Sequence, residues 1–220
     1  KFMKKIFGSL VLTVIMVVSA SAQFGVMGGA VGTQIVVAKV KMLEGDPSAL
    51  KGKKVKTVFT FEDAMVSKYK VGFGKKIPEA QFIDDKKSKI NEKEAGKGDT
   101  WAAKWEADKV NLYPNAFHIK YNEMGKETGS SSSSGDGDVT LTIHTNYIEP
   151  GYFIGIDKTP AIINAECTFT DKSGALIAKY MISNCPGQAF GFGDTDTGAR
   201  MSEAYEKLAK ELFKAISKKW

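Results

Sequence analysis

The chain has 220 residues, 31 of them Lys or Arg and 25 Asp or Glu, for a formal net charge of +6. That length suits one domain of the usual ~100–200 residues with short additions, enough to bury a full core. Lys1, Lys4 and Lys5 belong to the leader described next, and the excess of base left without them is too small and scattered for a nucleic-acid footprint.

Lys4 and Lys5, an apolar run over 6–18 and the small residues Ala20-Ser21-Ala22 have the form of a secretory signal peptide over residues 1–22, with Met3 as the expected initiator. The apolar run is shorter than the ~20 residues that span a bilayer, so cleavage is expected, not anchorage. Gln23, not Cys, follows the cleavage site. The expected product is exported, periplasmic or extracellular, and not a lipoprotein. Residues 23–33, with Gly25, Gly28, Gly29 and Gly32, read as a flexible lead-in to a single domain over 34–220.

Within that domain, 34–42 has the β-branched content of a strand and 44–52 has turn chemistry. Val55, Thr57, Phe59 and Phe61 then alternate with mostly polar neighbours as a half-buried strand. Pro78 suits the first position of a helix running to about 94, whose thin apolar face is Phe82, Ile83 and Ile90. A second helix is capped by Asp99 or Thr100, carries Trp101 and Trp105 on one face, continues to Leu112 and stops at Pro114. Phe117, Ile119 and Tyr121, alternating with His118 and Lys120, predict a strand. Residues 129–138 are Ser- and Gly-rich and predict a mobile loop inside the domain. Val139, Leu141, Ile143, Thr145 and Tyr147 resume the alternation.

Residues 161–183 predict a hairpin about the turn 171–174, in the register Phe169–Leu176, Cys167–Ala178, Ala165–Tyr180 and Ile163–Ile182, which superposes two apolar faces. Residues 194–197 cap a helix over about 199–217, where Met201, Tyr205, Leu208, Leu212 and Ile216 form one stripe. The pattern predicts an α+β fold: a two-layer sandwich, a mostly antiparallel sheet with the 78–112 helical region and the C-terminal helix packed on one face.

No catalytic constellation is legible. The loop Gly191 to Gly198 precedes a helix but lacks GxxxxGK[ST], and its Asp194 and Asp196 would repel phosphate, so it reads as a cap and turn. Asp136 with Asp138 falls short of a calcium loop, and no cofactor or metal is expected. His118 and His144 are placed on polar strand faces, without HxH or HExxH spacing. Cys167 reads as a buried inert thiol, and Cys185, facing position 160 in the predicted register, lies too far from it for a cross-strand disulfide. Trp101 and Trp105 read first as a helix-to-sheet core contact, and second as a platform for sugars.

Four stretches, 44–51 (EGDPSALK), 96–105 (GKGDTWAAKW), 148–166 (IEPGYFIGIDKTPAIINAE) and 198–216 (GARMSEAYEKLAKELFKAI), resemble a family of uncharacterised secreted proteins of Gram-negative bacteria. More remotely, the order of strands and helices resembles curli-secretion-type and TolB-amino-terminal-type envelope α/β domains. That resemblance implies a two-layer α+β fold and an assembly or scaffolding context; the expected partner is an unidentified envelope protein or glycan. The leading expectation is a non-enzymatic binding module. Its alternative is a carbohydrate-binding module or hydrolase using Trp101, Trp105, His118 and His144.

Overall fold

The computed structural model describes residues 36–67, 74–154, 157–187 and 196–220. The expected signal peptide, the lead-in and the start of the first strand lie outside these residues, as do Asp194 and Thr195 of the expected cap. The described chain runs β1 (Lys39–Gly45), a 3-10 turn (Pro47–Leu50), β2 (Lys54–Thr60), β3 (Met65–Ser67), β4 (Lys76–Pro78), α1 (Glu79–Lys93), α2 (Lys97–Val110) and α3 (Leu112–Gly125). It continues through β5 (Ser131–Ser133), β6 (Val139–Glu149), β7 (Tyr152–Ile154), β8 (Asp157–Thr159), β9 (Ala161–Thr170), β10 (Leu176–Gly187) and α4 (Thr197–Ser217).

The fold is α+β. The main sheet has the order β1-β10-β9-β6-β2-β5, with β3 alongside β6 and β4 outside β3, while β7 and β8 form a separate antiparallel pair. It is more mixed than the sequence pattern predicts. The pairings β1/β10, β10/β9, β9/β6 and β3/β4 are antiparallel, but β2 runs parallel to both β6 and β5, and β3 parallel to β6. The physical reason is the connection: three helices separate β2 from β6, and a crossover of that length returns the chain in the same direction.

The C-terminal helix follows its pattern. Asp196 caps it by accepting from the Gly198 amide at 2.9 Å, and Met201, Tyr205, Leu208, Leu212 and Ile216 are fully buried against β9, β10 and α3. Burying each such side chain contributes roughly 1.5–3 kcal/mol. Tyr205 stacks on Tyr113 of α3 with ring centroids 5.0 Å apart, and Phe213 meets Tyr121 edge-on at 5.2 Å. At the β1 edge, Gly45 has φ +86°, and a Cβ there would stand 2.1 Å from the Ile177 carbonyl oxygen, so this bulged crossing admits only glycine.

Three expectations are corrected. Residues 117–121 are helix, not strand: Tyr113, Phe117 and Tyr121 are buried at steps of four, whereas Ile119 is 60% exposed, which no strand alternation allows. Pro114 does not stop a helix but sits in the first turn of α3, where its missing N–H has no partner to lose. The Ser- and Gly-rich segment is not wholly a loop. Ser131–Ser133 form an edge strand on β2, because the Asn122 amide clamps Ser132, accepting from its N–H at 2.6 Å and donating to its carbonyl at 3.2 Å. Asp138 in turn accepts from the Lys54 amide at 3.0 Å, tying the end of the segment to β2.

In the hairpin the faces are as expected but the pairing slides. The Asp171 side chain accepts from the Ser173 and Ala175 amides, fixing the turn. A bulge at Ile177 then sets Phe169 opposite Ala178, Cys167 opposite Tyr180 and Ala165 opposite Ile182. Leu176, paired with Thr170, is left exposed, but from Ala178 onward a slip of two keeps each side chain on its face, so the apolar pattern cannot detect it.

Candidate functional site

The sheet opens where β5 stops. Ser131–Ser133 pair only with Lys54–Lys56, so the outer edge of β2 is uncovered from Thr57 onward. On the helix side of that edge stand Thr57, Phe59 and Phe61, two apart along the strand. Across from them the end of α2 brings Glu106, Lys109 and Val110, and α3 brings Pro114 and His118, four apart on one helix face. With Ser134 these residues line a cleft of about 400 Å³, within the range of small-ligand sites. Val110 stands at its rim, 73% exposed.

Lys109 is fixed on three sides. Its ammonium lies 3.2 Å from both carboxylate oxygens of Glu79, 2.8 Å from Glu106 Oε2 and 5.2 Å from the centre of the Phe61 ring. Glu79 also accepts from Trp105 Nε1 at 2.7 Å, so this buried carboxylate is held by a charge and a neutral donor. The three ionised groups sum to one negative charge.

His118 packs edge-on against Phe59 and Phe117, at 6.0 and 6.2 Å between ring centres. The hydroxyl proton of Thr57 goes to the Ser133 carbonyl at 3.1 Å, and the same hydroxyl oxygen bonds Nε2 of His118. A hydroxyl has one proton, so the tautomer that satisfies both contacts has the hydrogen on His118 Nε2. Burial holds the His118 pKa below its ordinary value, which favours the neutral ring and leaves Nδ1 as a lone-pair acceptor.

The four sequence candidates are not brought together. Trp105 is buried and Trp101 half-buried, but both rings pack on Phe82 of α1, with centroids 5.5 and 6.1 Å away. They form a helix-to-helix contact, not the expected contact with the sheet, and Lys86 covers Trp101 at 4.7 Å. His118 lies on the helix side of the sheet, not on a polar strand face, because its segment is helical. His144 does lie on the polar strand face, on the opposite side, where Thr60 bonds its Nδ1 at 3.1 Å. Only His118 reaches the cleft. Glu79, Lys109 and Val110 carried no sequence signal; Phe59 and Phe61 carried one, as alternating aromatics on a strand.

A second recess, of about 240 Å³ beside α4, is lined by Lys120, Lys207 and neighbouring glutamates. Two of its three lysines are paired, Lys120 with Glu123 and Glu206 and Lys207 with Glu211. Cys167 and Cys185 are buried free thiols, both pushed up by burial. A bulge at Asn184 sets Cys185 opposite Ile163, not position 160, which is roughly 13 Å along β9 from Cys167. Among the described residues no group of three or more His, Cys, Asp or Glu could hold a metal ion.

No family model and no curated protein matches the chain. Solved structures that it resembles include the PelC dodecamer from Paraburkholderia phytofirmans, at 11% identity and a TM-score of 0.34, covering 79% of this chain and 96% of that one. A point variant of the same dodecamer aligns at 9% identity and a TM-score of 0.33, covering 79% and 98%.

Proposed function

We propose that this protein is an exported, non-enzymatic binding module of the bacterial cell envelope that recognises its partner through the cleft between β2 and the α2–α3 corner. The signal-peptide pattern of residues 1–22 supports export. Among the described residues no helix is long and apolar enough to cross a membrane.

One observation carries the choice of binding over catalysis. A histidine that activates a hydroxyl must accept its proton. Here the Thr57 hydroxyl also reaches the Ser133 carbonyl at 3.1 Å, and with its proton there His118 Nε2 donates to it instead of accepting. The pair is arranged to hold β2, β5 and α3 together, not to generate a nucleophile. Lys109 is equally engaged, its ammonium paired with Glu79 at 3.2 Å and Glu106 at 2.8 Å.

Nitrogen-detected NMR of the imidazole tests this directly. The expected result is a neutral ring with hydrogen on Nε2 at neutral pH. Hydrogen on Nδ1, with Nε2 accepting from Thr57, would make His118 a base over a hydroxyl and would replace the binding reading with an acyl-transfer one.

A further inference from the structure

We infer that the cleft takes a neutral saccharide ring, with its C–H face on Phe59, Phe61 and Val110 and a hydroxyl donating to Nδ1 of His118. The inference rests on the cleft being the recognition site and is argued by eliminating other ligand chemistries from the groups that line it.

A cationic ligand is disfavoured because the aromatic surface that would receive it already holds one. The Lys109 ammonium lies over Phe61 at 5.2 Å and already pairs with Glu79 and Glu106, so a second cation would find the Phe61 face and both carboxylates taken. An anion fares worse. The Lys109 protons are directed at Glu79 and Glu106, and among the described residues lining the cleft no unpaired positive group is present.

A wholly apolar ligand is disfavoured by His118. Its Nδ1 has no hydrogen-bond partner among the described residues, and covering that polar nitrogen with hydrocarbon incurs the desolvation penalty of an unmet group. Glu106, whose side chain is 55% exposed, adds a second acceptor at the rim. What satisfies all of these groups is an uncharged molecule with one C–H-rich face and hydroxyl protons along its edge. A sugar ring has that composition, and the volume of about 400 Å³ admits one or two such rings.

The test is an NMR titration of the exported protein with labelled Phe and His, using five probes: chitobiose, cellobiose, choline, inorganic phosphate and hexanol. At least one disaccharide is expected to move the Phe59, Phe61 and His118 signals saturably, with a Kd on the order of 1 mM. Val110→Glu, at an exposed position that the fold tolerates, should weaken that binding at least about tenfold, as should His118→Ala. Saturation of the same signals by choline, phosphate or hexanol, with neither sugar acting, overturns the saccharide inference and leaves the cleft as a binding site. Sugar-induced shifts that survive Val110→Glu place the ring elsewhere and also overturn it. If no probe moves these signals, both the inference and the cleft reading fall.

Discussion

Glu79 and Lys109 show how a charged pair can be buried beside a cleft without acting in it. Each is nearly removed from solvent, with side chains 10% and 12% exposed, and each depends on the other for its missing hydration. Glu79→Leu should therefore cost ~3–5 kcal/mol by urea denaturation, since it leaves Lys109 only the half-exposed Glu106 and Trp105 Nε1 no acceptor, and adding Lys109→Met should recover part of that loss. Additive losses in the double variant would show that the two groups do not support each other.

His118 makes a signed prediction. Unfolded, it titrates near 6.5, and folded it titrates lower because burial disfavours the imidazolium. Between the two values the unfolded chain holds the extra proton, so this contribution to stability is complete above about pH 6.5 and is lost as pH falls through the folded pKa. Urea midpoints of the wild type should fall more steeply between about pH 7 and pH 5 than those of His118→Gln, and parallel curves would contradict this. The two buried cysteines give a third expectation: two free thiols on denatured, unreduced protein, with negligible reaction before denaturation. A disulfide-linked monomer would mean that the bulge at Asn184 does not hold the register seen here.

At the scale of elements, α4 was fully legible because a five-residue stripe at helical spacing over 21 residues has no strand alternative. Its packing predicts a contrast. Leu208→Ala or Leu212→Ala should cost ~2–5 kcal/mol, and Lys210→Ala under ~0.5 kcal/mol. Equal midpoints for the three variants would show that the helix does not dock through this face. α3 was misread because Phe117, Ile119 and Tyr121 fit a period of two as well as Phe117 and Tyr121 fit a period of four. Tyr113, one turn earlier and buried on the same face, settles the period once it is counted. The strand at 131–133 had no local signal, since what orders three serines is the amide of Asn122, supplied by another element. The slip in the β9–β10 hairpin is invisible for a different reason: the turn pairs Leu176 with Thr170, one off the expected partner, the bulge at Ile177 adds a second step, and from Ala178 onward both apolar faces stay where the pattern puts them.

For the whole molecule, the sheet divides its two faces. One meets helices α2, α3 and α4 through a continuous core. The other carries Thr142, His144, Glu166, Thr168 and Lys179, partly exposed, with Glu166 and Lys179 paired at 2.8 Å. The α+β class and the one-sided placement of helices followed from alternation and stripes, but the parallel placement of β2 beside β6 did not. That placement sets the cleft, because it puts Phe59 and Phe61 near an edge that the short β5 leaves open. Of the sequence candidates only His118 reaches the cleft, since the sequence identifies chemistry-bearing residues and long-range topology decides which of them meet.

The account therefore turns on which face of the sheet engages a partner. The direct measurement is photo-crosslinking in exporting cells, with a benzophenone side chain placed at Val110 on the cleft rim or at Val58 on the open face. Both positions are exposed, so either substitution leaves the core intact. The account predicts adducts from position 110 and none from position 58; adducts from 58 with none from 110 would contradict it.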